Sequence, residues 1–368
     1  MKFTIHRDPL LEALQRALSV VEKKNTVQIL GNVLFSVQSQ ELLVSATDLE
    51  VGIQISVPIQ THEAGKITVS AKQLHDIVKE LPSRELIFSK KENNWVELIS
   101  GKSKFNIVSL SADDFPALPA FNGKNYYDAR VDNLGEMIDR TDFAVSLDAT
   151  RYHLNGVFLE LLDTQLIRMT ATDGHRLSFV DSEVFLNNPD FKRGIIIPRK
   201  GLTELRKILD QAQSTVGLAF ERGFLFVKLG ESYLFIRLIE GEYPDYKQVV
   251  PKACDKTLKI SREEFLAALR RVSLLANEKS RGVKLTMNSQ CLVITSSNPD
   301  VGDAREELDI EFTGDNLEIG FNAKYLMDCL MISKSPDVLI ALKDKLSPGI
   351  MRGADEAHHT YVIMPMRI

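Results

Sequence analysis

The chain has 368 residues, 44% of them apolar and 26% charged, and a net charge of −5. At roughly 100–200 residues per domain this length allows two or three domains, and the composition excludes disordered and collagen-like chains. Its apolar runs, such as Tyr361–Met366, are far shorter than the ~20 residues a membrane span requires. The opening Met1–Asp8 carries charge where a signal peptide needs its apolar stretch. Cys254, Cys291 and Cys329 are odd in number and widely spaced, which argues against a disulfide framework or a zinc site and for a reducing cytosol. The expectation is a cytoplasmic chain with no metal, no cofactor and no membrane contact.

Taken in order, Lys2–Ile5 reads as a short strand. Leu10, Leu11, Leu14, Ala17, Leu18 and Val21 then recur on one face of a helix over 7–24. Ile29–Val37 and Glu41–Ala46 make a hairpin across the polar Gln38-Ser39-Gln40, and Ile67–Ser70 leads into a helix over 71–80. The series then starts again. Asp128–Val131 precedes a helix over 132–140, Leu154–Leu161 pairs with Gln165–Ala171, and Gly194–Pro198 runs into a helix over 198–210. The third round is Thr257–Ile260, a helix over 261–281, the hairpin Gly282–Met287 with Gln290–Thr295, and Leu317–Asn322 before a helix over 323–334.

Short echoes fix the period. Lys72, Lys200 and Lys324 occupy matching places, Ala46-Thr47-Asp48 returns as Ala171-Thr172-Asp173, and Phe115-Pro116 returns as Tyr243-Pro244. A repeat of about 125 residues is too long for a solenoid unit of roughly 20–50 and is a whole domain. Boundaries fall at 1–125, 126–252 and 253–368. Each copy holds about eight strands and two helices, an α+β fold of antiparallel sheets with helices on one side. Three similar units in line can curve and close by symmetry into a ring or an arc.

Two segments imitate catalytic motifs. Gly101-Lys102-Ser103 resembles the end of a phosphate loop, but Val96 stands where that motif needs glycine and a strand follows instead of a helix, so a hairpin turn is expected. Asp173-Gly174-His175-Arg176 brings a carboxylate near an imidazole, which suits either a hydrolytic acid/base or metal pair or a turn with Gly174 at positive φ; spacing favours the turn. His358 and His359, adjacent in a strand, should point to opposite faces. The apolar tail Val362–Ile368 suits a final docked strand, an adaptable methionine lip for several partners, or both. Positive charge gathers on the six helices and negative charge on strands and loops. A surface lined by helices would therefore attract phosphates.

These residues carry a resemblance. The chain resembles the β sliding clamp of bacterial DNA polymerase III over essentially its whole length. The matching motifs are Met1-Lys2-Phe3-Thr4, Ile29-Leu30-Gly31-Asn32, Thr47-Asp48-Leu49-Glu50, Arg151-Tyr152-His153-Leu154-Asn155-Gly156 and Ala171-Thr172-Asp173-Gly174-His175-Arg176-Leu177. They continue with Pro198-Arg199-Lys200-Gly201, Tyr243-Pro244-Asp245-Tyr246, Asn277-Glu278-Lys279, Arg281-Gly282-Val283 and Met364-Pro365-Met366-Arg367-Ile368.

The resemblance implies a DNA clamp fold and a head-to-tail homodimer whose six domains ring double-stranded DNA. It implies no catalysis, only a tether that gives the polymerase processivity. A threaded ring needs no tight phosphate binding, which accounts for the acidic net charge. By the same resemblance Lys24, Lys72, Tyr152 and His153 face DNA, while Asp148, where the family can carry glutamine, would oppose a phosphate. A peptide groove would use Leu154, Thr172, Gly174, His175, Arg176, Leu177, Pro244, Val249, Ser347, Val362, Met364, Pro365, Met366 and Arg367. Its partners would be linear segments of the polymerase III catalytic subunit, the clamp loader, other polymerases and mismatch-repair proteins. Phe105, Leu274 and Leu275 would pack across the dimer interface, with Glu306 and Glu307 near Lys102 or Lys104 of the second copy. The residues alone leave a hydrolase and a DNA-independent peptide scaffold as alternatives.

Overall fold

The computed structural model describes residues 1–21, 27–121, 126–163, 166–185 and 194–367. Among them are six α-helices: α1 (Arg7–Val20), α2 (Ala71–Glu80), α3 (Val131–Asp139), α4 (Arg199–Leu209), α5 (Arg262–Val272) and α6 (Ala323–Ile332). Each follows directly on a strand. Side chains make that switch at three places, where Ser70, Ser261 and Asn322 accept the N–H of Gln73, Glu264 and Lys324. These bonds satisfy first-turn donors that have no partner within the helix.

Two helices are shorter than the apolar spacing predicts. α1 ends at Val20 because Val21 is extended, and the remainder of the expected helix, including Lys24, lies outside the described residues. α5 ends at Val272, not at 281; a 3₁₀ turn over Ser273–Leu275 and an extended Ala276 follow. The Asn277 carboxamide then accepts from Lys279 N (3.0 Å) and Ser280 N (3.2 Å), local bonds that compete with a helix. Gly101 turns between two strands at φ +59°, as expected of a hairpin.

Contacts gather the chain into two units. The first, chiefly Met1–Val131 and Lys200–Leu238, carries one 13-stranded antiparallel sheet. Phe3, Phe35 and Phe88 meet there with ring centroids 4.9–6.4 Å apart, and α1 buries Leu10, Leu14 and Ala17. The second unit, chiefly Asp132–Val184 and the residues from Ile239 onward, carries a 9-stranded and a 4-stranded sheet. Phe265 and Leu269 of α5, Leu326 and Leu330 of α6, and Tyr361 and Ile363 of the last strand share its core. Each such fully buried side chain contributes about 1.5–3 kcal/mol.

The sequence repeats are bridged by strand pairing. Within the first unit Ser232–Arg237 pairs with Val51–Pro58, and within the second Arg176–Glu183 pairs with His359–Ile363. The chain's last strand is therefore docked on its own third repeat and on the second. His359 is the buried first residue of the last strand, whereas His358 lies exposed in the turn before it and not in the strand as expected.

Candidate functional site

One turn occurs twice. At Thr47–Val51 the Thr47 hydroxyl accepts from Leu49 N (3.0 Å), and Asp48 Oδ1 accepts from Glu50 N and Val51 N (3.0 and 2.7 Å). At Thr172–Arg176 the Thr172 hydroxyl accepts from Gly174 N (3.0 Å), and Asp173 Oδ1 accepts from His175 N and Arg176 N (2.9 and 3.0 Å). The middle residue has positive φ in both, +79° at Leu49 and +89° at Gly174. The strands leaving the turns are paired alike: Gly52 faces Phe235, and Leu177 faces Val362.

What covers the two turns differs. The Phe235 ring lies against Gly52, whose Cβ, if present, would stand 2.5 Å from it, and Phe226 and Ala219 complete that cluster. At the second turn, a cavity of about 150 Å³ opens between Leu154, Thr172, Gly174, Arg176, Leu177, Pro244, Asp245, Tyr246, Val249, Val362 and Met364. Its volume is well below the ~300–1,000 Å³ of small-molecule pockets, and its walls are mostly apolar, so it suits one or two inserted apolar side chains.

The supports of the cavity are stiff. Phe158 and Tyr243 stack at 4.9 Å, and the Arg168 guanidinium lies 4.3 Å from the Phe179 ring while bridging both Asp181 oxygens at 2.6 Å. The Tyr246 hydroxyl donates to Glu160 and accepts from Arg168 (3.3 Å). Burial first, and the Glu160 bond second, push the Tyr246 phenol up to about 12, so it stays neutral.

Arg176 is the cation of the wall, and it is fully engaged. It donates to Asp173 (3.1 Å), to Asp328 of α6 and to the Phe143 carbonyl (2.6 Å). Its guanidinium also lies 4.6 Å from the Tyr325 ring. Asp328 in turn accepts from Lys324 (2.7 Å). Asp173 thus spends one oxygen on backbone and the other on Arg176, while the His175 ring stacks near Tyr325 at 6.5 Å. That arrangement is a braced turn, not an Asp–His acid/base pair. Among the described residues no cluster of three or more His, Cys, Asp or Glu side chains is placed to hold a metal ion.

Nine of the residues expected in the groove line the cavity. His175, Ser347, Pro365, Met366 and Arg367 do not; Met366 and Arg367 line a separate groove. Asp245 and Tyr246 line it unforeseen, although both sit in the Tyr243–Tyr246 motif that the sequence singled out.

The other expected residues are scattered. Lys72 is exposed on α2 and has no ion-pair partner among the described residues, whereas its counterparts Lys200 and Lys324 are tied to Asp48 and Asp328. Tyr152 is 57% exposed and meets His153 edge to face at 5.7 Å. Asp148 accepts from the Thr150 hydroxyl and N–H and from Arg151 (3.0 Å). These bonds, led by the Thr150 hydroxyl, hold its carboxyl below the usual range. Phe105 and Leu275 are half-buried and Leu274 is 79% exposed. Glu306 is held by Arg271 (2.6 and 2.9 Å), Glu307 by Arg305, and Lys104 by Glu97 (2.7 Å).

Three consecutive family models match the chain: the N-terminal domain of the DNA polymerase III beta subunit over residues 1–119, the central domain over 129–245 and the C-terminal domain over 247–367. A beta sliding clamp of Pseudomonas aeruginosa is 37% identical over 369 residues, and one of Vibrio cholerae 34% identical over 370, each match covering both chains completely. Among solved structures, the DNA polymerase III subunit beta of P. aeruginosa matches with a TM-score of 0.95 at 36% identity, covering both chains completely. The sliding clamp of Bartonella birtlesii bound to griselimycin matches equally well, with a TM-score of 0.95 at 35% identity over the whole of both chains.

Proposed function

This chain belongs to the DNA polymerase III beta subunit family, the beta sliding clamps, and we propose on that premise that two copies close head to tail around duplex DNA and tether the replicative polymerase to it. The repeats 1–125, 126–252 and 253–368, present once in each of the two copies, then make the six domains of the closed ring. The chain catalyses no reaction of its own and works in the bacterial cytoplasm.

One observation carries ring closure: among the strand edges that lack partners in the described residues, two carry opposite charge. Ser103–Leu110 pairs with Trp95–Ser100 along one edge, but on the other it meets Gly65–Ser70 only through Ser109 and Leu110. Gly302–Asp309 pairs with Cys291–Asn298 alone. Open edges template further pairing. The first is flanked by Lys102 and Lys104, and the second carries Asp303, Glu306, Glu307 and Asp309, so opposite charge favours joining one copy's first edge to another copy's second. Phe105, Leu274 and Leu275 stand beside these edges as apolar contacts. Glu306 and Glu307 are already paired within the chain, so they set orientation by charge, and any exposed pair across the seam is worth about 0–1 kcal/mol.

Lys24, Lys72, Tyr152 and His153 are the residues we assign to DNA, with Asp148 locally neutralised by Arg151. The cavity at Leu177 and Met364 receives apolar side chains of linear segments from the polymerase III catalytic subunit, the clamp loader, other polymerases and mismatch-repair proteins. Griselimycin-bound relatives support a small-ligand site on clamps of this family.

The test is topological. Loaded protein should stay on closed circular DNA and leave once the circle is cut, and native mass measurement should give a dimer. Equal retention on circular and linear DNA, or a monomer at micromolar concentration, would falsify the ring.

A further inference from the structure

A larger cavity lies within the first unit, between α1 of the first repeat and α4 of the second. It measures about 450 Å³, inside the ~300–1,000 Å³ range of small-molecule sites. Ile53, Ile208 and Leu234, all buried, form its apolar part. Arg16 of α1 lines it with an unmet donor: the guanidinium Nη2 is buried and has no hydrogen-bond partner among the described residues. Burial pulls that guanidinium below its ordinary pKa, and Glu12, one turn earlier, offsets this only in part. Two other carboxylates of the wall are already taken. Glu204, 5% exposed, accepts from Ser19 and from Lys207 (2.7 Å), and Asp210 accepts from Arg206. A charged donor taken out of water without an acceptor is costly. The wall offers Arg16 no acceptor, and the cavity has room for one.

We propose that this cavity binds a small carboxylic acid with an aromatic or aliphatic body, its carboxylate on Arg16 and its body on Ile53, Ile208 and Leu234. The planar guanidinium fork matches the two oxygens of a carboxylate. Charge on the wall narrows the class further. Glu12, Glu204 and Asp210 line the same cavity, so the second negative charge of a phosphate would be opposed, while a monoanion meets one cation with one charge. Bound there, the ligand touches α1 and α4 together and so bridges the first and second repeats. The site is separate from the cavity at Leu177, since no residue lines both.

Phenylbutyrate and its neutral amide test this on the full chain by calorimetric titration. The acid should bind about fivefold tighter than the amide, the difference between a charge-assisted and a neutral contact on Arg16. Arg16→Gln removes a poorly compensated charge, so it should not lower the melting temperature, and the two compounds should bind it alike. Glu12→Gln, at an exposed position, should tighten the acid about twofold and leave the amide unchanged. Equal binding of acid and amide to the unaltered chain, no binding of either at millimolar concentration, or a preference that survives Arg16→Gln overturns the proposal. So does displacement of the acid by a Leu/Phe peptide, which would place it in the cavity at Leu177. Displacement by a duplex oligonucleotide would give Arg16 to a phosphate and overturns it as well.

Discussion

Arg176 and Asp328, 152 residues apart in sequence, form an ion pair in which each side chain is only 9% exposed. The pair ties the wall of the cavity to α6, and Lys324 and Asp173 complete the chain of charges. Removing one member of a buried pair leaves the other charge without its compensation. Asp328→Asn should therefore lower stability by about 3 kcal/mol, read by urea unfolding. Replacing both residues by apolar ones of similar size should recover most of that loss; an unchanged midpoint in Asp328→Asn would mean the pair contributes nothing.

Val249 is 38% exposed at the cavity rim, so a substitution there spares the fold. A carboxylate at that place would have to lose water when an apolar side chain enters. Val249→Asp should weaken a Leu/Phe peptide by at least about tenfold with no change in melting temperature. Titration by fluorescence anisotropy decides it, and retained affinity would remove the cavity from the binding path.

Leu49 and Gly174 share one backbone role with unequal residues. Leu49, 55% exposed, gains little packing to offset its φ of +79°. Leu49→Gly should raise stability by roughly 0.5–1 kcal/mol. Gly174→Ala should cost roughly 1–2 kcal/mol, since its Cβ would also stand 2.9 Å from Arg151 Nη1. Thermal unfolding of the two variants should move in opposite directions, and a common direction would contradict the shared geometry.

His359 and Glu356 make stability depend on pH. The His359 Nδ1 accepts from Arg140 (2.6 Å), and its Nε2 bonds Ser178, whose hydroxyl donates to the Arg140 carbonyl. That network assigns the neutral tautomer with its proton on Nε2. Burial, and then the Arg140 charge, lower the imidazole from 6.5 to about 3. The unfolded chain takes up the proton first, so this stability is present above pH 6.5 and drains as pH falls toward 3.

Burial alone would raise the Glu356 carboxyl, but bonds from Arg140, Lys334 N and Ser333 outweigh it and bring it from 4.5 to about 2. Its share is present above pH 4.5 and drains between 4.5 and 2. The unfolding midpoint should begin to fall near pH 6.5, and in His359→Gln the fall should begin near pH 4.5. An unchanged onset in the variant would assign the first part of the decline to other groups.

Local chemistry was the part most legible from the residues. The paired Ala-Thr-Asp turns and the strand–helix starts depend on neighbours a few positions away, and they stand where the spacing puts them. The overrun of the helix over 261–281 has the same local origin, because Asn277 and Ser280 form a turn that apolar periodicity does not register. Which turn carries a cavity was not legible. That depends on Phe235 lying over Gly52 in one ladder and Val362 facing Leu177 in the other, partners more than 180 residues apart. Motif matching grouped Met366 and Arg367 with the residues of the peptide groove, and the tail places both along a depression separate from the cavity.

The middle repeat is divided, its strands Gly156–Leu161, Leu166–Thr172 and Arg176–Glu183 lying in one sheet and Thr215–Glu221, Phe224–Leu229 and Ser232–Arg237 in another. A copy of that repeat excised on its own would expose a raw ladder at Leu177 and a second at Phe235. The middle repeat should therefore not fold by itself, and shuffling it between homologous chains should fail unless both flanking ladders travel with it.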